Sequence, residues 1–252
     1  MNNELNKCKG ALVGLAVGDA LGTTLEFKTP GTFTPLTDMV GGGMFGLKPG
    51  KWTDDTSMAL CLADSLIEKE SFDAFDQLDK YVKWMKHGYN SSTGNCFDIG
   101  NATRQALYLY ESTGQPYCGD PSRESAGNGS IMRLAPIPII YFNKPEQLMK
   151  YAALSSRTTH AAPQCIAACM YMSGLIAAAI KGSNKEEVLS ACFSLIPDFW
   201  KNNPLDEAIM EIAVGSYKTN SHPRSMLQGM WLKPWRLLFG LFTILMILKA
   251  AL

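Results

Sequence analysis

At 252 residues and 46% hydrophobic content, the chain suffices for one sizeable domain or two small ones, and a core of that size needs no disulfide staples. Twenty-three basic residues balance 23 acidic ones, which argues against nonspecific binding to nucleic acid. The seven cysteines form no CxxC pair and no zinc spacing, and the opening MNNELNKCKG lacks a long apolar signal-peptide core, so a reducing, cytoplasmic setting is expected.

In chain order, GALVGLAVGDALG (10–22) reads as a small-residue helix with Leu12, Leu15, Ala16 and Asp19 near one side. A loop rich in Gly, Pro and Thr follows, TPGTFTPLTDMVGGG. Helical spacing of Met58, Leu62, Ser65 and Leu66 predicts a helix over about 54–70. Ser71 ahead of DAFDQLDKYVKWMK predicts a capped amphipathic helix. Another is expected over 98–112, followed by a second glycine loop, SAGNGSIMRLAPIPII. Further helices are expected over about 145–155, 161–181, 185–195 and 205–217, with Cys165 and Cys169 as core thiols in the longest. No alternating strand pattern appears. The class is therefore all-α, with function carried in the loops between helices.

Within that frame a few residues have the chemistry of a site. Thr53, Asp54 and Asp55 offer a hydroxyl and two carboxylates, the hard oxygen donors that Mg²⁺ or Mn²⁺ prefers. The plain alternative is that Thr53 is an N-cap and the aspartates sit at the positive end of a helix. Glu26 reads as a catalytic carboxylate or a solvated charge, and Asp98 as a site residue or another N-cap. GNGSIMR (127–133) could present backbone N–H groups and Arg133 to a phosphate, or be an ordinary glycine turn. His160 could donate to a ligand or be structural.

Taken together, the order GAxxGxAxGDAxGxxxEF, WTDDTxM, GNGSxMR and a Thr-His pair before a helix resembles the ADP-ribosylglycohydrolase family, of the dinitrogenase-reductase-activating glycohydrolase kind, over residues 10 to about 228. The resemblance implies an all-α, orthogonally packed helical bundle with a binuclear Mg²⁺ or Mn²⁺ centre. It implies hydrolysis of the bond between ADP-ribose and a modified side chain, so the partner would be an ADP-ribosylated protein or an ADP-ribose-like small molecule. Carried over residue by residue, Thr53, Asp54 and Asp55 match the first half of the metal site, Glu26 a gating or catalytic acid, and Asp98 a catalytic-site aspartate. Gly127, Asn128, Gly129, Ser130 and Met132 match the loop that cradles the phosphates and ribose, and His160 a further ligand contact.

The chain departs from the family pattern in one respect. The family carries a second metal motif, Asp-x-Asp-Thr, and none occurs past Ser183. Three donors from one helix start cannot enclose two cations that each want about six oxygens. From Gly229 the composition also breaks, GMWLKPWRLLFGLFTILMILKAAL having no Asp, Glu, Asn or Gln. Codons permitted for this stretch can be re-read in the neighbouring frame as an acidic, helically patterned segment like the family's helix ahead of the missing motif. The expectation is a C-terminally truncated, incomplete domain over 1–229 and an aberrant, out-of-frame tail over 230–252. The rival reading of the tail is a membrane anchor, disfavoured because its apolar run is about a dozen residues where a span needs roughly 18 to 20. Two functions stay open: a hydrolase impaired by loss of the second motif, and an inactive relative or ADP-ribose-binding remnant.

Overall fold

The computed structural model describes residues 2–29 and 31–216, so the tail set apart above lies outside the described residues. Among the described residues ten α-helices follow in order: α1 (Asn2–Gly22), α2 (Asp54–Lys69), α3 (Ala74–His87), α4 (Asn101–Thr113), α5 (Pro136–Tyr141), α6 (Pro145–Arg157), α7 (Pro163–Lys181), α8 (Lys185–Val188), α9 (Phe199–Asn202) and α10 (Glu207–Ala213). Among the described residues there is no strand, only two isolated bridges, Gly42 with Leu47 and Asp120 with His160. The all-α class expected from periodicity is therefore observed.

The centre of the molecule is α7, which packs on α6, α5, α1, α8 and α10. By length and composition it could cross a membrane, yet 72% of its most apolar window is buried inside the protein. Leu175, Ile176 and Ile180 lie in its inner surface, each contributing about 1.5–3 kcal/mol by leaving water. Gly174 lets α6 come close, since a Cβ there would sit 3.3 Å from the Met149 methyl. Pro163 opens the helix, where its missing N–H costs nothing. Gly182 closes it at φ 104°, donating its N–H to Ala178 and Ala179. Cys165 and Cys169 are buried free thiols on this helix, as expected.

Several boundaries differ from the periodic reading. The first helix begins at Asn2 rather than near residue 10. The third is capped by Asp73, not Ser71: the Asp73 carboxylate accepts from the N–H groups of Phe75 and Asp76 at 2.9 and 3.0 Å. The fourth begins at Asn101 with Gly100 as its cap, so Asp98 is not an N-cap. The helix expected over 185–195 ends at Val188. Cys192 takes a left-handed conformation (φ 52°) and donates its N–H to the Ala213 carbonyl at 2.9 Å, a tertiary bond that outcompetes continuation of the helix. The short helices α5 and α9 carry no periodic signal, since one lies inside a glycine- and proline-rich stretch and both are below the length at which periodicity is readable.

The two cap assignments can be separated by urea denaturation. Asp73→Ala is expected to lower the unfolding free energy by about 1 kcal/mol, and Ser71→Ala to leave it within about 0.5 kcal/mol.

Candidate active site

The start of α2 is built by a residue from another helix. The Asp19 carboxylate, on the last full turns of α1, accepts from the Thr53 N–H (3.0 Å) and hydroxyl (2.8 Å), and from the Thr56 N–H (3.1 Å) and hydroxyl (2.7 Å). Asp19 thereby satisfies N–H groups that a helix start leaves open, from across the α1–α2 interface. Thr53 occupies the N-cap position but makes no side-chain cap bond of its own. With the cap supplied by Asp19, Asp54 and Asp55 are not needed as caps. Burial raises the proton affinity of Asp19, while the Thr56 and Thr53 hydrogen bonds oppose the rise.

The next two carboxylates stand in an anionic pocket. Burial, then the charges of Asp55, Asp98, Asp19 and Glu26, push Asp54 far above the ordinary carboxylate range. Burial, followed by Asp19 and Glu26, pushes Asp55 up to about 8. Carboxylates from four segments are therefore felt at Asp54 and resist its ionisation.

Both candidate acids sit on bent backbone. Glu26 follows the 3₁₀ turn Thr23–Leu25 and precedes Phe27, whose φ of 61° is an outlier for so bulky a residue. Asp98 itself has φ 54°. The Glu26 turn is braced by the GGG stretch of the first loop: the Thr24 hydroxyl donates to the Gly41 carbonyl at 3.1 Å, and a Cβ on Gly43 would lie 2.5 Å from the Thr23 carbonyl oxygen. The approach to Asp98 is braced against the entry to α2. The Ser92 hydroxyl donates to the Trp52 carbonyl at 2.6 Å, and the Trp52 indole N–H to the Asn90 carbonyl at 3.2 Å. Phe45 and Phe97 meet edge to face at 5.5 Å, which joins the two loops beside the acids.

The glycine turn 127–133 packs against His160 and the first turn of α4. A Cβ on Gly129 would fall 2.5 Å from His160 Cε1 and 3.1 Å from the hydroxyl of Thr103, in the first turn of α4. The N–H groups of Ile131 and Met132 both turn back to the Asn128 carbonyl at 3.0 Å. The side chains of Ser130, Met132 and His160 are buried, and the Ser130 hydroxyl accepts from the Ser156 hydroxyl at 2.9 Å. Gly127 and Asn128 are half-buried.

Arg133 corrects the reading that it faces a phosphate. It is fully buried, and its Nη2 donates to the Ser155 carbonyl (3.2 Å) and to the hydroxyls of Thr158 (3.2 Å) and Thr159 (2.7 Å). Its guanidinium lies 4.6 Å from the centre of the Tyr81 ring.

The ADP-ribosylglycohydrolase family model matches residues 1–246. The chain belongs to the ADP-ribosylglycohydrolase family. It is 43% identical over 217 residues to the ADP-ribosylarginine hydrolase Tri1 of Serratia proteamaculans, covering 86% of this chain and 57% of that one. It is 36% identical over 178 residues to the ADP-ribosyl-[dinitrogen reductase] glycohydrolase of Rhodospirillum rubrum, covering 68% and 57%. A solved ADP-ribosylglycohydrolase-related protein complex superposes with a TM-score of 0.73 at 39% identity, covering 86% of this chain and 69% of that one. The chain thus spans somewhat more than half the length of these two curated relatives.

The family's metal centre fits the donors present in kind. Thr53, Asp54 and Asp55 are hard oxygen donors, and the neighbours that most strongly perturb Asp54 are all carboxylates, a field that a divalent cation would relieve. The donors do not by themselves close a site: among the described residues no three acidic, His or Cys side chains converge to hold a metal ion. The residues that the sequence reading missed are Asp19 and the buried partners of Arg133. Asp19 had only its place on one face of a small-residue helix to mark it, 34 positions before the residue it holds.

Two substitutions test this construction. Asp19→Ala leaves the Thr53 and Thr56 donors without their acceptor and is expected to cost about 2–3 kcal/mol of stability in denaturant unfolding. Gly129→Ala drives a methyl into the His160 ring and is expected to cost about 1–3 kcal/mol in the same assay.

Proposed function

We propose that the chain is a hydrolase of the ADP-ribosylglycohydrolase type that removes ADP-ribose from modified protein side chains, impaired in its 252-residue form. The observation that carries this reading is that the charges of Asp55, Asp98, Asp19 and Glu26 all bear on the buried Asp54 at the start of α2. The names of the relatives, one an ADP-ribosylarginine hydrolase, support arginine as the acceptor.

Each group then has a role. Thr53, Asp54 and Asp55 would hold Mg²⁺ or Mn²⁺, which when bound orients a ribose diol and lowers the pKa of a water. Asp98 accepts a proton from the attacking water as its oxygen bonds to the ribose anomeric carbon. The bond from that carbon to the acceptor nitrogen breaks through an oxocarbenium-like state, as in other glycoside cleavages. Glu26, on its braced turn, guards or assists the same centre. The earlier part of the glycine turn, residues 127–130, cradles the diphosphate, because Ile131 and Met132 already direct their N–H groups to Asn128. Backbone donors of this kind need no basic surface, which agrees with a net charge of zero.

The impairment follows from the donor count. The sequence past Ser183 holds no Asp-x-Asp-Thr, and three donors leave a divalent ion short of its oxygens. We assign the apolar stretch after Gly229 to out-of-frame translation, which the coding sequence tests directly: the neighbouring frame should stay open past codon 252 and encode the missing motif. The same observation favours the second reading, an inactive relative that binds ADP-ribose.

The assay is Mg²⁺- or Mn²⁺-dependent release of ADP-ribose from ADP-ribosyl-arginine. The 252-residue chain is expected near background, and a chain with the frame restored after Gly229 to turn over. Asp54→Ala should abolish turnover in the restored chain, and survival of activity would remove the metal assignment. Robust turnover by the 252-residue chain overturns the impairment, whereas turnover by neither leaves the binding remnant as the function.

A further inference from the structure

Behind the glycine turn runs a buried chain of hydrogen bonds that the chemistry above does not use. Arg133 Nη2 lies 2.7 Å from the Thr159 hydroxyl oxygen, which lies 2.8 Å from His160 Nδ1. All three side chains are buried. A guanidinium can only donate, so Thr159 is an acceptor towards Arg133. The Thr159 hydroxyl proton must then find an acceptor of its own, and among the described residues the only other partner of that oxygen is His160 Nδ1. An Nδ1–H would point a second donor at Thr159 and leave the hydroxyl proton with no acceptor, a costly arrangement in a dry interior. Burial, then the Arg133 charge, pushes His160 down to about 3, so its ring is neutral and has one tautomer to choose. The opposite edge of the ring, Cε1 and Nε2, lies under the turn: a Cβ on Gly129 would be 2.9 Å from Nε2, and one on Gly127 3.6 Å away.

We propose that Arg133, acting through Thr159, holds His160 as the tautomer protonated on Nε2, so that the ring edge beside Gly127 and Gly129 carries an N–H donor. Arg133 and Thr159 are positioning residues, and the Nε2–H serves an acceptor atom of the ligand, a phosphate or hydroxyl oxygen. The tautomer follows from the hydrogen bonds alone. The identity of the oxygen rests on the ADP-ribose reading.

The test is a long-range proton–nitrogen spectrum of the ¹⁵N-labelled full chain, with His160 assigned by its loss in His160→Gln. The expected result is a single tautomer with protonated Nε2 and bare Nδ1. Thr159→Val, nearly isosteric, should mix or reverse the tautomers, Thr159→Ser should restore the parent pattern, and Arg133→Met should behave as Thr159→Val. If Arg133→Met does not fold, the Val and Ser pair still decides. Free ADP-ribose serves as the probe in the same samples, with affinity about tenfold weaker in Thr159→Val, the scale of one buried hydrogen bond to an anion, and recovered in Thr159→Ser. An Nδ1–H tautomer in the parent, or a Thr159→Val spectrum identical to it, overturns the inference. A parent that shows the expected tautomer but binds no ADP-ribose overturns the ADP-ribose reading instead.

Discussion

A single carboxylate, Asp19, ties the end of one helix to the beginning of another, and the candidate site is built on that join. It accepts the N–H and hydroxyl of both Thr53 and Thr56, so the first turn of α2 is closed by α1 rather than by its own side chains. A helix start is ordinarily capped locally, by a Ser, Thr, Asn or Asp at the N-cap. Here the local candidate, Thr53, is itself held by the remote residue. That division of labour keeps Asp54 and Asp55 out of the cap, in a pocket that also holds the fields of Glu26 and Asp98. The cost is electrostatic. Burial and mutual repulsion raise both aspartates well away from ordinary carboxylate behaviour, and such an arrangement persists only where the surrounding fold over-determines it.

The second constraint is a buried cation without a carboxylate beside it in any of its hydrogen bonds. Arg133 Nη2 donates to a carbonyl and two hydroxyls and the guanidinium lies against an aromatic ring, while its buried Nε has no hydrogen-bond partner among the described residues. Those partners come from the C-terminal end of α6 and from α3, so the guanidinium fastens the glycine turn to two helices at once. Burying an arginine is expensive unless its donors are met. The segment that follows α6 meets those on Nη2 with Thr158 and Thr159, and His160 is thereby placed under the turn. Gly129 is the other face of the same fact: the ring occupies the room that a side chain there would need.

Much of the organisation was legible from short-range pattern. The all-α class, the long apolar helix ending near Lys181, the helix beginning at Asp54 and the four motif segments all follow from periodicity, capping chemistry and residue order, which are local properties. Local pattern failed where tertiary bonds compete with it. Ser71 was as good a cap as Asp73 on composition, and only the observed carboxylate-to-N–H distances decide between them. The helix expected to run to residue 195 is cut short by a hydrogen bond from Cys192 to Ala213, which no window of sequence contains. Arg133 looked like a phosphate ligand because it follows a glycine turn, and its burial could not be read from neighbours that are themselves ordinary.

What the amino-acid order by itself determined is the chemistry on offer: hard oxygen donors at 53–55, acids at 26 and 98, a glycine turn at 127–133, and a family likeness that the whole-chain match bears out. These are matters of residue type and spacing, and the chain carries them whether or not it is folded. Tertiary structure decided which of these groups meet, which are turned inward, and which unremarked residue holds them. Asp19 and Thr53 are 34 positions apart in the chain. A carboxylate's role depends on the donors and charges within a few ångströms of it, and only folding brings those neighbours from distant parts of the chain.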